Sequence, residues 1–238
     1  MNIRQKENDL FETWIRERPL RNPFVKDGCH SPQDYAMSKH KVVFLLKEPN
    51  WGYSQVEQEK YATEETDVHD QRDGYDDWWK TIGKWCATIT NPQWNWLEIE
   101  KNVNSGNVNE FIAPYVMVQL KKSPGGGSSV HDKLGRIAKE DKSLLLSQLS
   151  IYQPKYIVSC GLWSISRNEL FNENRNIHTA PNGIEYYFAS DKDANLNNVC
   201  IVNFCHPSMR CSSVLNGAVS FALKDAITFI SETLNSNV

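Results

Sequence analysis

Two segments of the sequence each bring one side chain with catalytic potential to the end of an apolar run. The first run, residues 44–46, leads to Glu48 and Pro49, and the second, residues 202–205, leads to His206 and Pro207. Such runs are typical of buried strands, and the carboxyl ends of parallel strands form the sheet edge where ligands bind. A carboxylate and an imidazole that face one pocket can divide a hydrolysis, the first activating water and the second assisting the leaving group. We therefore expect Glu48 and His206 to act together.

Taken singly, each residue has a plainer interpretation. A glutamate at a strand end is ordinarily a surface residue, and a lone histidine is more often structural than catalytic. Pro49 and Gly52 favour function for Glu48, because a constrained loop holds a side chain still. A His-Pro-Ser sequence directly after an apolar strand is much rarer than a lone histidine, which favours function for His206.

Alternating strands and helices must position these two side chains. The spacing predicts four main strands, at residues 41–46, 111–120, 155–160 and 198–205, and a short edge strand at 184–189. Helices are predicted at residues 10–18, 77–88, 137–152, 161–171 and 212–234, and residues 21–39 are predicted to be a loop. This alternation predicts the α/β class, as a single-domain, three-layer α/β/α sandwich around a central, mainly parallel four-stranded sheet. Residues 1–40 form a helical extension and residues 54–77 an acidic insertion.

Composition limits the classes of protein that remain. The chain has 238 residues, 40% of them hydrophobic, which suffices for one globular domain. The polar start does not read as a secretory signal, and no apolar run reaches the roughly 20 residues that span a bilayer. We therefore expect a cytoplasmic protein without membrane contact, whose six cysteines are reduced thiols.

The sequence lacks the motifs of several kinds of functional site. It has no C-x-x-C pair, the six histidines lack metal-ligand spacing, and we expect neither a metal nor an iron–sulfur cluster. It also has no Gly-x-Ser-x-Gly elbow, phosphate-binding P-loop or dinucleotide fingerprint. The net charge of −3 argues mildly against a nucleic-acid partner, but residues 121–139 carry five basic residues and one acidic residue. This stretch is either a phosphate-facing rim or solvated surface.

The two segments together resemble the signature motifs of the uracil-DNA glycosylase superfamily. In that family the first strand ends in an acid or amide followed by proline, and the last strand ends in His-Pro-Ser. His206, Pro207 and Ser208 match the second motif, whereas Glu48 stands where the family usually has Asp or Asn. The resemblance implies an enzyme that flips a base out of double-stranded DNA and hydrolyses its N-glycosidic bond. It implies no cofactor and no obligate protein partner.

The resemblance also implies roles for individual residues. Glu48 would activate water, and His206 would donate a hydrogen bond to the carbonyl oxygen of the departing base. Gln119 would read the edge of the flipped base, and Trp51 or Tyr53 would stack on it. Residues expected to contact DNA lie in small-residue loops that admit phosphates or in a wedge that enters the duplex: Lys121, Lys122, Ser123, Gly125, Ser208, Met209 and Arg210.

Asn50 bears on the choice of base. Uracil-specific relatives carry a Tyr at this position, which crowds carbon 5 of the pyrimidine. The smaller, polar Asn50 favours a bulky, hydroxyl-bearing substituent there, as in the hypermodified cytosines of phage DNA, which phage-defence members of the family remove. The alternatives are a uracil or mismatch repair glycosylase, a non-catalytic DNA-binding module on the same fold, and a small-molecule hydrolase. We expect a monofunctional enzyme, although Lys47 and Lys121 lie near enough to raise the question of lyase activity.

Overall fold

The structure is built around a main mixed β-sheet with helices on both faces. The computed structural model describes residues 2–19, 24–49, 66–67, 77–106, 108–125, 130–171, 176–189, 196–209 and 213–236. Its helices are α1 (Ile3–Glu17), α2 (Pro32–Met37), α3 (Asp77–Thr90), α4 (Trp96–Ser105), α5 (Val108–Ile112), α6 (His131–Glu140), α7 (Lys142–Tyr152), α8 (Trp163–Ile165, continued by a π-helical turn over Ser166–Leu170) and α9 (Ser213–Ser236). Its strands are β1 (Val25–Lys26), β2 (Gly28–Cys29), β3 (Val42–Leu46), β4 (Thr66–Asp67), β5 (Val116–Gln119), β6 (Tyr156–Cys160), β7 (His178–Thr179), β8 (Glu185–Phe188) and β9 (Cys200–Phe204).

The main sheet confirms the α/β class but is larger than predicted. Its seven strands follow the order β2-β5-β3-β6-β9-β8-β7. The four central strands, β5, β3, β6 and β9, are parallel to their neighbours within this group. The prediction of a four-stranded sheet is wrong, because β2 pairs antiparallel with β5 and the β7–β8 hairpin pairs antiparallel with β9. Strands β1 and β4 form a separate parallel pair.

Alternating side chains divide the core into two layers. Val43 and Leu45 of β3 pack with Phe11 and Trp14 of α1 and with residues of α6, α7 and α8, on what we call the α1 face. Phe44 of β3 packs instead with residues of α3, α5 and α9, on what we call the α3 face. Because successive strand residues point to opposite sides, a continuous apolar run buries both faces. The N-terminal helix is therefore part of a core layer.

Three predicted elements differ from the structure. Residues 111–120 begin as the end of α5 and become strand only at Val116, since Pro114 ends the helix and an apolar run does not itself distinguish helix from strand. The predicted helix 137–152 is two helices, broken at the buried Asp141, whose carboxylate accepts a hydrogen bond from Arg18 at 2.9 Å. The predicted loop 21–39 contains β1, β2 and α2.

The chain connections diverge at the carboxyl ends of the central strands. The chain leaves β3 towards helices on the α3 face, whereas it leaves the adjacent β6 towards α8 on the α1 face. Connections that diverge from neighbouring parallel strands leave a crevice between them, and this is where open α/β sheets bind ligands. The residues that follow β3, β5, β6 and β9 all lie at this edge.

The described ranges contain neither a membrane-spanning helix nor a cluster of metal ligands. No helix there is long and apolar enough to cross a bilayer. The cysteines in these ranges are free thiols, and Cys211 lies outside them. No group of three or more potential metal ligands occurs in the same part of the chain.

Candidate active site

Strand register brings Glu48 and His206 to the same level of the sheet edge. Leu45 of β3 is level with Ser159 of β6, which is level with Asn203 of β9. Glu48 and His206 both lie three residues beyond these partners, on either side of the chain that leaves β6. Two strand spacings separate β3 from β9, which puts their backbones roughly 10 Å apart.

Gly161 occupies the centre of this edge. It follows β6 directly, with φ at +66°, and its N–H bonds to the carbonyl oxygen of Phe204 at 2.7 Å. A Cβ added to Gly161 would lie 3.2 Å from Cβ of His206 and 3.3 Å from Cε of Lys47. The side chains of Lys47 and His206 therefore both lie beside this glycine, and a larger residue there would crowd both.

The hydrogen bonds of His206 fix its tautomer. Nδ1 accepts the backbone N–H of Ser208 at 3.3 Å and lies 2.6 Å from the Ser208 hydroxyl. Since a backbone N–H only donates, Nδ1 carries a lone pair and Nε2 carries the proton of the neutral ring. Burial, and secondarily the Lys47 cation, lowers the pKa of His206 to about 4. At neutral pH the ring is an uncharged donor, and its Nε2 has no hydrogen-bond partner among the described residues.

Glu48 is held by an ion pair and covered by a glycine. Lys121 Nζ donates to Glu48 Oε2 at 2.7 Å and to the carbonyl oxygen of Pro124. The Glu48 side chain is 9% exposed, and the Lys121 side chain is 7% exposed. The Cα of Gly125 lies so close to the carboxyl group that an added Cβ would overlap it. Lys121 therefore fixes one carboxylate oxygen, while Oε1 has no hydrogen-bond partner among the described residues.

Gln119 lies at the end of β5, at the same edge of the sheet. It is level with Leu46 of β3, so its side chain lies on the α3 face, and it is 2% exposed. Its backbone N–H donates to Asp27 at 2.6 Å, while its side-chain Oε1 is buried without a hydrogen-bond partner in the described part of the chain. A buried amide oxygen without a donor costs roughly 1–3 kcal/mol, which a bound ligand can offset.

Lys122 belongs to the core, so the prediction that it contacts DNA is wrong. Its side chain is fully buried, and Nζ donates to Asp27 at 2.6 Å and to the carbonyl oxygen of Gln119 at 2.8 Å. The cluster around it also contains Gln148, which donates to Asp27 at 2.7 Å, and Tyr152. An ammonium enclosed in this way cannot reach a phosphate.

The other residues predicted to contact DNA have mixed positions. Lys121 is nearly buried against Glu48, and Ser123 is also buried, so neither side chain lies on an exposed surface. Ser208 is exposed and bonds the His206 ring, and Met209 is 46% exposed next to it. Four predicted site residues lie outside the described ranges: Asn50, Trp51, Tyr53 and Arg210.

Three contributors to this site were not identified from the sequence. Gly161 is predicted only as the start of a helix, although a glycine directly after an apolar strand is a signal for a tight turn or close contact. Lys47 is considered only for lyase chemistry, and nothing in the sequence indicates that it and His206 both lie beside Gly161. Asp27, which anchors the backbone at Gln119, carried no sequence signal either.

Comparison with known proteins adds no relative to this geometry. No protein-family model matches the chain, and no curated protein matches it.

Proposed function

We propose that this protein is a DNA glycosylase, which removes an everted base and leaves an abasic site. The observation that carries the proposal is the placement of Glu48 and His206 at one level of the sheet edge, on either side of Gly161. A carboxylate and a neutral imidazole N–H in this arrangement suit cleavage of a bond between sugar and base. The motif resemblance supports the same reaction.

In the proposed mechanism Glu48 and His206 act on opposite ends of the bond. Glu48 Oε1 accepts a hydrogen bond from a water molecule, and the carboxylate also stabilises the cationic sugar of an oxocarbenium-like transition state. The water oxygen bonds to C1′ as the bond from C1′ to the base nitrogen breaks, and the water proton passes to Glu48. His206 donates its Nε2–H to the carbonyl oxygen of the departing base. A neutral donor suffices, because it needs only to stabilise developing negative charge.

The proposed substrate is a pyrimidine whose edge is recognised by Gln119. The side-chain amide offers an acceptor and donors, which matches the alternating groups on a pyrimidine edge. The buried Oε1 without a partner supports this role, since a base amino or imino group supplies the missing donor. On the inference from Asn50, we extend the proposal to a bulky 5-modified cytosine of phage DNA.

The decisive experiment offers the purified protein several DNA duplexes under single-turnover conditions. Separate duplexes contain one uracil, one thymine mismatch, or one glucosylated 5-hydroxymethylcytosine, and abasic sites are detected by alkaline cleavage. Mass spectrometry of the released base identifies it directly. Release of glucosylated 5-hydroxymethylcytosine supports the full proposal, whereas release of uracil alone retains the glycosylase and rejects the modified-base substrate.

Variants link any activity to the proposed pair. We expect Glu48→Gln and His206→Gln each to slow base release by roughly 100-fold or more while leaving DNA affinity nearly unchanged. Matched controls are Glu12→Gln, an exposed glutamate on α1, and His178→Gln on the edge strand β7. Full activity in both Glu48→Gln and His206→Gln would reject catalysis by this pair.

One observation favours a second candidate, a non-catalytic DNA-binding module. The Glu48–Lys121 ion pair fastens the end of β3 to the chain after β5, and a carboxylate can be retained for that purpose alone. On this alternative the parent protein binds DNA with a steep salt dependence and releases no base from any duplex. The base-release experiment therefore separates the two functions.

A further inference from the structure

Among the described residues, Lys47 is a charge at this sheet edge that the proposed mechanism does not use. It is the first residue after β3, and Lys121 N–H donates to its carbonyl oxygen at 3.0 Å, which holds its backbone in line with β3. Its side chain extends towards β6, because Cε lies 3.3 Å from the position that a Cβ on Gly161 would occupy, and Cβ of His206 lies 3.2 Å from the same position. Lys47 is partly buried, so its side chain lies along the sheet edge rather than fully in solvent.

The two lysines at this edge differ in their partners. Lys121 is paired with the Glu48 carboxylate. Among the described residues, no carboxylate pairs with the Lys47 ammonium, and no hydrogen bond involves it. The net charge of the three side chains Lys47, Glu48 and Lys121 is therefore positive, and its excess lies beside a neutral His206. A partly buried cation without a counter-ion favours binding of an anion next to it.

The proposed reaction produces an anion at this position. When the bond from C1′ to the base nitrogen breaks, its electron pair passes to the base, and the negative charge spreads to the carbonyl oxygen. The neutral His206 supplies a hydrogen bond to that oxygen but no charge. We propose that Lys47 is a further catalytic residue, whose ammonium stabilises the departing base anion beside His206. This inference rests on the proposed glycosylase function.

The placement of the two side chains at Gly161 supports the same assignment, because an added Cβ there would lie 3.2 Å from Cβ of His206 and 3.3 Å from Cε of Lys47. Burial, and secondarily the Lys47 cation, lowers the pKa of His206, so the ring is neutral and its Nε2–H is available as a donor. The two donors then share one anionic oxygen, in the manner of an oxyanion hole.

The test compares Lys47→Met and Lys47→Arg with Lys155→Met as a matched control. Lys155 is an exposed lysine directly before β6, whereas Gly161 lies directly after β6. The control therefore removes the same charge at the opposite end of this strand, away from the candidate site. The probe is the duplex, with uracil or glucosylated 5-hydroxymethylcytosine, whose base the parent protein releases. We expect Lys47→Met to slow single-turnover release by roughly 100-fold. Lys47→Arg should restore part of this loss, and Lys155→Met should match the parent.

Measurements of DNA affinity show whether the anion that Lys47 stabilises is the departing base or a phosphate of the DNA backbone. Binding is measured in a Glu48→Gln background, which prevents turnover, at several salt concentrations. If Lys47 acts on the departing base, adding Lys47→Met leaves the affinity and its salt dependence unchanged. If Lys47 instead grips a phosphate, affinity falls and the slope of log affinity against log salt changes by about 0.9, which would overturn the assignment.

An NMR titration of His206 in the free protein tests the geometry without any substrate. Lys47→Met should raise the pKa of His206 from about 4 towards its ordinary value of 6.5, whereas Lys155→Met should leave it unchanged. Should Lys47→Met not fold, Lys47→Gln carries the same test. Unaltered base release in Lys47→Met, with Glu48→Gln and His206→Gln inactive, overturns this inference alone; a parent protein that releases no base overturns the glycosylase function with it.

Discussion

Lys121 and Lys122 are adjacent in the sequence and belong to different parts of the molecule. Lys121 pairs with Glu48 at the sheet edge over 2.7 Å, where both side chains retain slight solvent exposure. Lys122 pairs with Asp27 over 2.6 Å, where neither side chain has any. The chain bends over residues 120–123 directly after β5, and the two neighbouring side chains are directed to different partners. One lysine thereby joins the candidate active site and the other joins the core.

The difference shows that a run of like charges is not one surface. The site pair leaves a carboxylate oxygen available at the sheet edge, as a catalytic group requires. The core pair is completed by Gln148 and by the backbone at Gln119, as a buried charge requires. The core pair also supports the site, because Asp27 and Lys122 both bond the backbone at Gln119.

The largest expected effect is loss of the core cation. Lys122→Met leaves Asp27 buried without its counter-charge, and we expect the free energy of unfolding to fall by about 3–5 kcal/mol. Urea denaturation at pH 7 measures this loss. A double-mutant cycle with Asp27→Asn should show strong coupling, since removing both charges leaves neither one unpaired. A smaller loss for Lys122→Met than for Lys121→Met would reverse the assignment of core and site.

The pH dependence of stability should separate the two regions. Burial raises the pKa of Glu7, which bonds Tyr152 of the core cluster, to about 7. Between pH 4.5 and 7 the folded protein holds a proton that the unfolded chain has released, so this group lowers stability as pH rises, by up to about 3 kcal/mol. His206, with its pKa lowered to about 4, acts oppositely: from pH 4 to 6.5 the unfolded chain binds the proton, so stability rises with pH.

Single variants reveal the two opposing slopes. In Glu7→Gln the urea midpoint should rise between pH 5 and pH 7, because the contributions of His206 and of His40, whose pKa burial also lowers, remain without the opposing one of Glu7. In His206→Gln the slope over the same interval should be more negative than in the parent, because the contribution of His206 is removed while that of Glu7 is kept. The parent protein should lie between them. Identical slopes in all three proteins would show that neither group changes its pKa on folding.

A smaller stability effect is expected at the site pair. Lys121→Met should lower the free energy of unfolding by about 1–2 kcal/mol, since the Glu48 carboxylate at the sheet edge can be rehydrated. Base release should fall more than stability does, because the carboxylate loses its fixed position. Urea denaturation and single-turnover release on the same preparation measure both. Unchanged base release in a folded Lys121→Met protein would show that the ion pair does not position Glu48.

The smallest change in stability is expected for Gly125→Ala. The added methyl group displaces the end of the Glu48 side chain, which can rotate, so the free energy of unfolding should change by less than about 1 kcal/mol. Base release should nevertheless fall by roughly tenfold, equivalent to about 1.4 kcal/mol in the activation barrier. Gly135→Ala in α6, where an added Cβ meets no neighbouring atom, is the control and should keep full activity.

The sequence was sufficient to predict the elements that carry the site. Apolar runs and their terminal residues predicted β3, β6 and β9 and the α/β class, because buried parallel strands require continuous hydrophobicity. The pairing of Glu48-Pro49 with His206-Pro207-Ser208 also identified the two strand ends that the sheet register brings level. These features are local, and local patterns are what a single sequence encodes most directly.

Partners and faces were decided only by the tertiary structure. The sequence did not indicate that Lys121 binds Glu48, that Lys122 is buried with Asp27, or that Lys47 and His206 both lie beside Gly161. Each contact joins residues that lie far apart in the chain. Strand order and register determine which of these residues become neighbours, and both arise from packing of the whole core rather than from any one segment.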